Sequence, residues 1–290
     1  MTRLLFGVNV STSAGPRADP VADARAAEEL GFDFVSAPDH PAGTQPTYET
    51  WTLLSWIAAS TTRIKIASRV LGVPFRAPAM VAKMAESLDR LSGGRLILGL
   101  GAGASEDEAR GFGLGARSPG ERIDSLDEAV RLMRGMRAER AFTFAGRHYR
   151  TDGAELEPKP AHRIPIWLGT FGNRALAVTG RLADGWIPSL ELAPPERVGA
   201  MRDRVLGAAR SAGRDRADIT CVYNVEIRVD EQVEARPHLV MGAPEAVAEQ
   251  LTGFLALGFT GINFLPVGPD TQEQVHRIAI EVLPLVRAAI

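Results

Sequence analysis

Residues 30–41 run Leu30-Gly31-Phe32-Asp33-Phe34-Val35-Ser36-Ala37-Pro38-Asp39-His40-Pro41, and one whole turn of the fold is written in them. A glycine after a leucine ends a helix, because the left-handed backbone that closes a helix costs glycine nothing. The aromatic that follows opens a short apolar run, Phe34 to Pro38, bounded by turn residues, which reads as a strand. The same device recurs at Leu257-Gly258-Phe259-Thr260, ahead of a second apolar run from Gly261 to Leu265.

Outward from these two turns, strand-like runs alternate with helical spacing along the whole chain. Further strands are expected at Leu4 to Val10, Ile64 to Ser68, Leu96 to Gly101, Ile166 to Gly169, Gly185 to Pro188 and Thr220 to Val229, eight in all. Between them Met80, Met84, Leu88 and Leu91 share a helical face, as do Ile123, Leu126, Val130 and Met133, and Val275, Ile278, Val282 and Leu285. Eight strands, each followed by a helix, predict an α/β fold of the (β/α)8 TIM-barrel type over residues 1–290 as one domain. The alternation breaks once, at 141–160, where Phe142 to Tyr149 reads as a small hairpin insertion and Glu157 to Pro160 as an extended connector.

Composition narrows the function classes. The 290 residues are 45% hydrophobic and 23% charged, with a net charge of −2, which suits a globular protein and argues against nucleic-acid binding. No apolar run is long enough for a membrane span, and Met1-Thr2-Arg3 leads straight into a strand without a signal region. The single cysteine, Cys221, has no internal disulfide partner, so a cytoplasmic setting is expected. The histidines other than His40 are scattered singly and no His/Cys spacing suits zinc, so no metal site is expected.

In such a barrel the chemistry sits where strands end. Asp39-His40 closes the second strand and offers a general acid-base, His40, with Asp39 to orient it or touch a ligand. The fifth strand ends in Gly169-Thr170-Phe171-Gly172-Asn173 and opens a helix, a place where unpaired backbone N–H groups can hold a phosphate, with Arg174 and Arg181 adding charge nearby. The fourth ends in Gly99-Leu100-Gly101-Ala102-Gly103. It matches a dinucleotide fingerprint only superficially, since acidic residues 106–108 follow. These glycines are read as letting a flat ligand approach the backbone.

Together these segments resemble the luciferase-like monooxygenase superfamily of flavin- and deazaflavin-dependent barrels. The resemblance rests on Ala27 to Asp33 leading to Pro38-Asp39-His40, on Arg76-Ala77-Pro78 through Arg95 to Gly103, and on Pro158-Lys159-Pro160, Pro165 to Gly169, Ala183 to Ile187 and Met241 to Glu245. It implies an oxidoreductase that binds coenzyme F420, with FMN as the alternative and a monooxygenase as the corresponding activity. It also implies that Asp39 and His40 lie beside the tricyclic ring, that Ser68-Arg69-Val70 forms a bulge with a non-prolyl cis peptide behind it, that Ala102 and Gly103 pass the ribityl side, and that Gly169 to Asn173 hold the phosphate. The F420-dependent glucose-6-phosphate dehydrogenases, more distant in resemblance, carry a Glu and a Trp where this chain has Ala104 and, approximately, Thr44, so a substrate other than a sugar phosphate is expected. A small-molecule substrate is implied, and a catalytically silent coenzyme-binding barrel is the other reading. Relatives in this superfamily commonly dimerise through barrel helices, and the apolar stretch Trp51 to Trp56 is read as core or as a homodimer interface.

Overall fold

The computed structural model describes residues 3–41, 43–103, 106–115, 117–232 and 236–290, so Met1, Thr2 and Ala104 lie outside the described residues. Its strands are β1 (Leu5–Asn9), β2 (Phe34–Ala37), β3 (Lys65–Ser68), β4 (Leu71–Gly72), β5 (Leu96–Gly101), β6 (Ala141–Ala145), β7 (Arg150–Glu155), β8 (Ile166–Leu168), β9 (Gly185–Trp186), β10 (Thr220–Val229), β11 (Leu239–Gly242) and β12 (Gly261–Pro266). Its helices are α1 (Pro20–Glu29), α2 (Thr50–Ser60), α3 (Pro78–Ser92), α4 (Glu106–Gly111), α5 (Pro119–Ala138), α6 (Asn173–Leu182), α7 (Pro195–Ser211), α8 (Pro244–Ala256), α9 (Thr271–Arg277) and α10 (Leu283–Ala288).

Parallel pairing runs β1–β2–β3–β5–β8–β9–β10–β12 and returns from β12 to β1, which closes an eight-stranded (β/α)8 barrel. All eight anticipated strands are present. β4 and β11 were not anticipated and pair along the upper ends of β5 and β10. The insertion is an antiparallel hairpin of β6 and β7. It is held to the barrel by the Glu128 carboxylate of α5, which accepts the amides of Arg147, His148 and Tyr149.

Side chains fill the barrel in layers. Phe34, Ala67, Ile97, Trp167, Ile187 and Val222 make the inner apolar layer, with Leu5 and Val70 packed against it. Phe34 meets Trp167 edge to face at 5.6 Å. Gly7 makes room for that ring, because a Cβ there would lie 2.2 Å from it. Both helix-to-strand turns have the predicted form: Gly31 and Gly258 take φ of +82° and +92°, and Phe32 and Phe259 are buried behind them.

Two expectations need correction. The face of α3 that packs on the barrel is Val81, Ala82, Ala85 and Leu88, whereas Met80 and Leu91 of the anticipated stripe are 58% and 86% exposed. Those residues lie on the side of the helix turned from the sheet, and apolar character alone could not tell the two sides apart. The Trp51 to Trp56 stretch divides likewise: Trp51 is core, and Trp56 is exposed.

Glu28 ties α1 to the turn before β3. Its carboxylate accepts the amides of Thr62, Arg63 and Ile64 at 2.6–2.9 Å. Partial burial opposes its ionisation, but the three donors prevail and hold the carboxyl at about 2. A carboxyl depressed in the fold contributes stability above its unfolded pKa, and that contribution fades as pH falls through the folded value. Glu28→Gln is therefore expected to lower the melting temperature at pH 7, with the gap to wild type closing between about pH 4.5 and 2. A gap independent of pH would contradict the carboxylate's role.

Candidate active site

The chain leaves β2 through Pro38 and turns Asp39 inward. The Asp39 side chain is fully buried, with Oδ1 and Oδ2 accepting Nη2 and Nη1 of Arg76 at 2.9 and 2.8 Å. Oδ2 also accepts the amide of Gly72 at 2.9 Å. Arg76 goes on to pair with Glu49, whose carboxylate caps α2 by accepting the amide of Thr52. Burial works against the charge on Arg76, but Asp39 and Glu49 more than offset it and raise its pKa. Both Asp39 oxygens are thus committed to the segment that follows β3.

That segment is the bulge. Arg69–Val70 is a cis peptide bond, as the resemblance implied. Ser68 lies below it with a buried hydroxyl that donates to the Gly99 carbonyl at 2.8 Å and accepts the Gly99 amide at 2.9 Å. A Cβ on Gly99 would sit 1.9 Å from the Ser68 carbonyl oxygen, and one on Gly101 would sit 2.7 Å from Val70. Gly99 and Gly101 of β5 therefore admit the bulge. Ser68 is likewise a clamp between strands, its hydroxyl spent. Ala102 and the left-handed Gly103 (φ +78°) remain partly open just above.

Across the barrel, β8 ends in Gly169 and the chain enters α6 at Gly172. This helix has no side-chain cap, so its first amides lack the partner that a Ser or Asp would give. Gly172 and Asn173 are exposed, and Phe171 is partly buried against the core. The Thr170 hydroxyl is unavailable: it is buried at 2.7 Å from that of Thr179, while the Thr170 carbonyl accepts Nε1 of Trp186. Arg174 and Arg181 do not add free charge at this end, since they pair with Asp124 and Asp127 of α5.

His40 points the other way from Asp39. Its side chain is 67% exposed, and Nδ1 lies 3.3 and 3.4 Å from the two carboxylate oxygens of Glu108 on α4. A carboxylate can only accept, so Nδ1 carries the donated hydrogen and neutral His40 presents an unprotonated Nε2. Sequence reading treated Glu108 only as a charge hostile to pyrophosphate and missed this pairing, because α4 comes to His40 from 68 residues away.

It also missed the polar floor of the mouth. Ser36 and Asn263 bond at 2.9 Å, Asn263 donates to Asn224 at 2.7 Å, and Asn224 donates to the Ile187 carbonyl at 3.3 Å. All three polar side chains are buried. The signal was a lone polar residue at an inward position of each apolar strand. No group of His, Cys, Asp or Glu suited to a metal occurs among the described residues, and no helix among them is long and apolar enough to cross a membrane. Asp39→Asn is expected to cost about 3 kcal/mol of stability, because it strips a buried pair of one charge. Thermal unfolding checks this, and an unchanged midpoint would show that Asp39 does not hold the bulge in place.

The architecture is shared with solved structures. An F420-dependent secondary alcohol dehydrogenase in complex with an F420-acetone adduct superposes with a TM-score of 0.89 at 20% identity, over 98% of this chain and 99% of that one. The coenzyme F420-dependent tetrahydromethanopterin reductase of Methanopyrus kandleri gives 0.83 at 18%, over 97% and 99%. In sequence, the F420-dependent glucose-6-phosphate dehydrogenase of Intrasporangium calvum is 34% identical over 90% of this chain and 92% of its own. That of Nakamurella multipartita is 27% identical over 91% of each. The model of the luciferase-like monooxygenase family matches residues 3–258. The chain belongs to the luciferase-like monooxygenase family.

Proposed function

We propose that this protein is a coenzyme F420-dependent oxidoreductase that moves a hydride between the deazaflavin and a small organic substrate at the barrel mouth. The observation that carries the reading is His40, exposed at the end of β2 with Nδ1 committed to Glu108. Relatives named for F420 dependence that span nine-tenths of the chain support the coenzyme. The uncapped start of α6 fits the phosphate end of such a molecule. When bound, the deazaflavin supplies a carbon that accepts or gives a hydride.

The residues divide the remaining work. The backbone from Gly169 to Asn173 holds the phosphate, the backbone of the Arg69–Val70 bulge forms the support behind the ring, and Ala102 and Gly103 border the ribityl chain. Ser68, Asp39 and Thr170 act indirectly, by fixing these segments. His40 accepts the proton of a substrate hydroxyl at Nε2 in the oxidative direction and returns it in the reverse, while Glu108 steadies the ring. A cytoplasmic setting and a homodimer through barrel helices, with the exposed Trp56 of α2 at the interface, belong to the same proposal. The description of the family as monooxygenases favours a second reading, in which FMN replaces F420 and oxygen is the co-substrate.

His40→Ala is expected to lower turnover with F420 about 10²–10⁴-fold while coenzyme affinity stays within about twofold, because the ring is held by backbone on other strands. Turnover equal to wild type would remove His40 from the chemistry.

A further inference from the structure

The arginines around the barrel mouth are mostly spoken for. Arg76 is paired with Asp39 and Glu49, Arg228 with Asp230 and Asp270, and Arg174 with Asp124. Arg69 is different. It sits just beyond β3, above the inner layer against which Val70 packs, and reaches across to the end of β1. There Nε donates to Oδ1 of Asn9 at 2.9 Å. The guanidinium has no carboxylate at ion-pair distance among the described residues. Its one charged influence is Glu226, acting from farther off.

Glu226 stands four residues beyond Val222 of the inner layer and two beyond Asn224 of the polar floor, so it faces the same mouth, and it is exposed. Arg69 and Glu226 are thus a cation and an anion of the mouth that do not meet, above a neutral floor of Ser36, Asn224 and Asn263. Burial without a partner pushes the Arg69 guanidinium down to about 10. A half-buried guanidinium held by Nε alone keeps the rest of its planar fork of donors free, in the geometry that a carboxylate fills with two parallel hydrogen bonds.

We propose that Arg69 is a substrate-anchoring residue that takes the carboxylate of a small hydroxy acid, or of the oxo acid when the reaction runs in reverse. A phosphate dianion suits this mouth less well, because one guanidinium would face two charges with Glu226 nearby to repel them. A carboxylate carries one charge and leaves Glu226 to accept from a hydroxyl. The inference deepens the proposed function and rests on it for the chemistry. With the acid anchored, the carbinol C–H pair leaves as hydride to the oxidised deazaflavin and the O–H proton passes to Nε2 of His40, leaving a carbonyl.

The test separates anchoring from turnover. Lactate and its neutral isostere lactamide are titrated into coenzyme-free protein by saturation-transfer NMR, with wild type, Arg69→Met and Arg69→Lys, each verified as folded by circular dichroism. Wild type is expected to bind lactate at least tenfold more tightly than lactamide, Arg69→Met to bind the two alike, and Arg69→Lys to fall between. Equal binding to wild type, or a lactate preference that survives in Arg69→Met, would overturn the proposal, as would tighter binding of glucose 6-phosphate than of lactate. A parallel F420 titration of Arg69→Met reads the coenzyme separately: a tenfold loss there with the lactate preference unchanged would assign the guanidinium to the coenzyme instead. Lactate preference without F420 reduction would leave the anchor standing and count against the F420 reading alone.

Discussion

A carboxylate buried without water is stable only where donors surround it, and at Asp39 three donors do so: two from Arg76 and the amide of Gly72. This one group joins the end of β2, the exit of β3 and, through Arg76 and Glu49, the start of α2. The bulge at Ser68 to Gly72 is thereby fixed on one side by Asp39 and on the other by the Ser68–Gly99 clamp. Everything that faces the mouth from this quarter depends on it. His40 is the next residue after Asp39, so the orientation of the buried acid sets where the exposed imidazole stands. Arg69 leaves from the bulge itself.

The mouth built on this frame is neither apolar nor strongly charged. Its floor is a chain of amide and hydroxyl bonds whose members satisfy one another, so it is rigid and offers little reason for bulk water to order there. Apart from the paired arginines around it, the charges that face it among the described residues are Arg69, Glu226 and the His40–Glu108 pair. Such a site can align a small polar substrate and shift one proton, which is what hydride transfer demands of a protein when the coenzyme carries the electrons.

Much of the barrel was legible in the sequence because its signals are local. Leu30-Gly31-Phe32 and Leu257-Gly258-Phe259 encode turns within three residues, and each anticipated strand is an apolar run with punctuation at its ends. The uncapped start of α6 was readable for the same reason, from the glycines before it. What escaped depends on partners distant in sequence. Nothing near Asp39 announces Arg76, 37 residues on, so the acid looked free for a ligand. Arg174 and Arg181 looked unpaired because Asp124 and Asp127 precede them by 50 and 54 residues. Gly99 signals only that something comes close, and the sequence does not say that it is the Ser68 backbone. The sides of α3 were confused because Met80 and Leu91 are as apolar as the residues that pack on the sheet.

Whether this mouth receives a deazaflavin decides between the readings of its chemistry. Paired titrations of the purified protein with F420 and with FMN, followed by coenzyme absorbance or fluorescence, test it most directly. The expected result is saturable binding of F420 in the micromolar range or tighter, with FMN bound at least tenfold more weakly. Preference for FMN, or binding of neither coenzyme, would contradict the deazaflavin site.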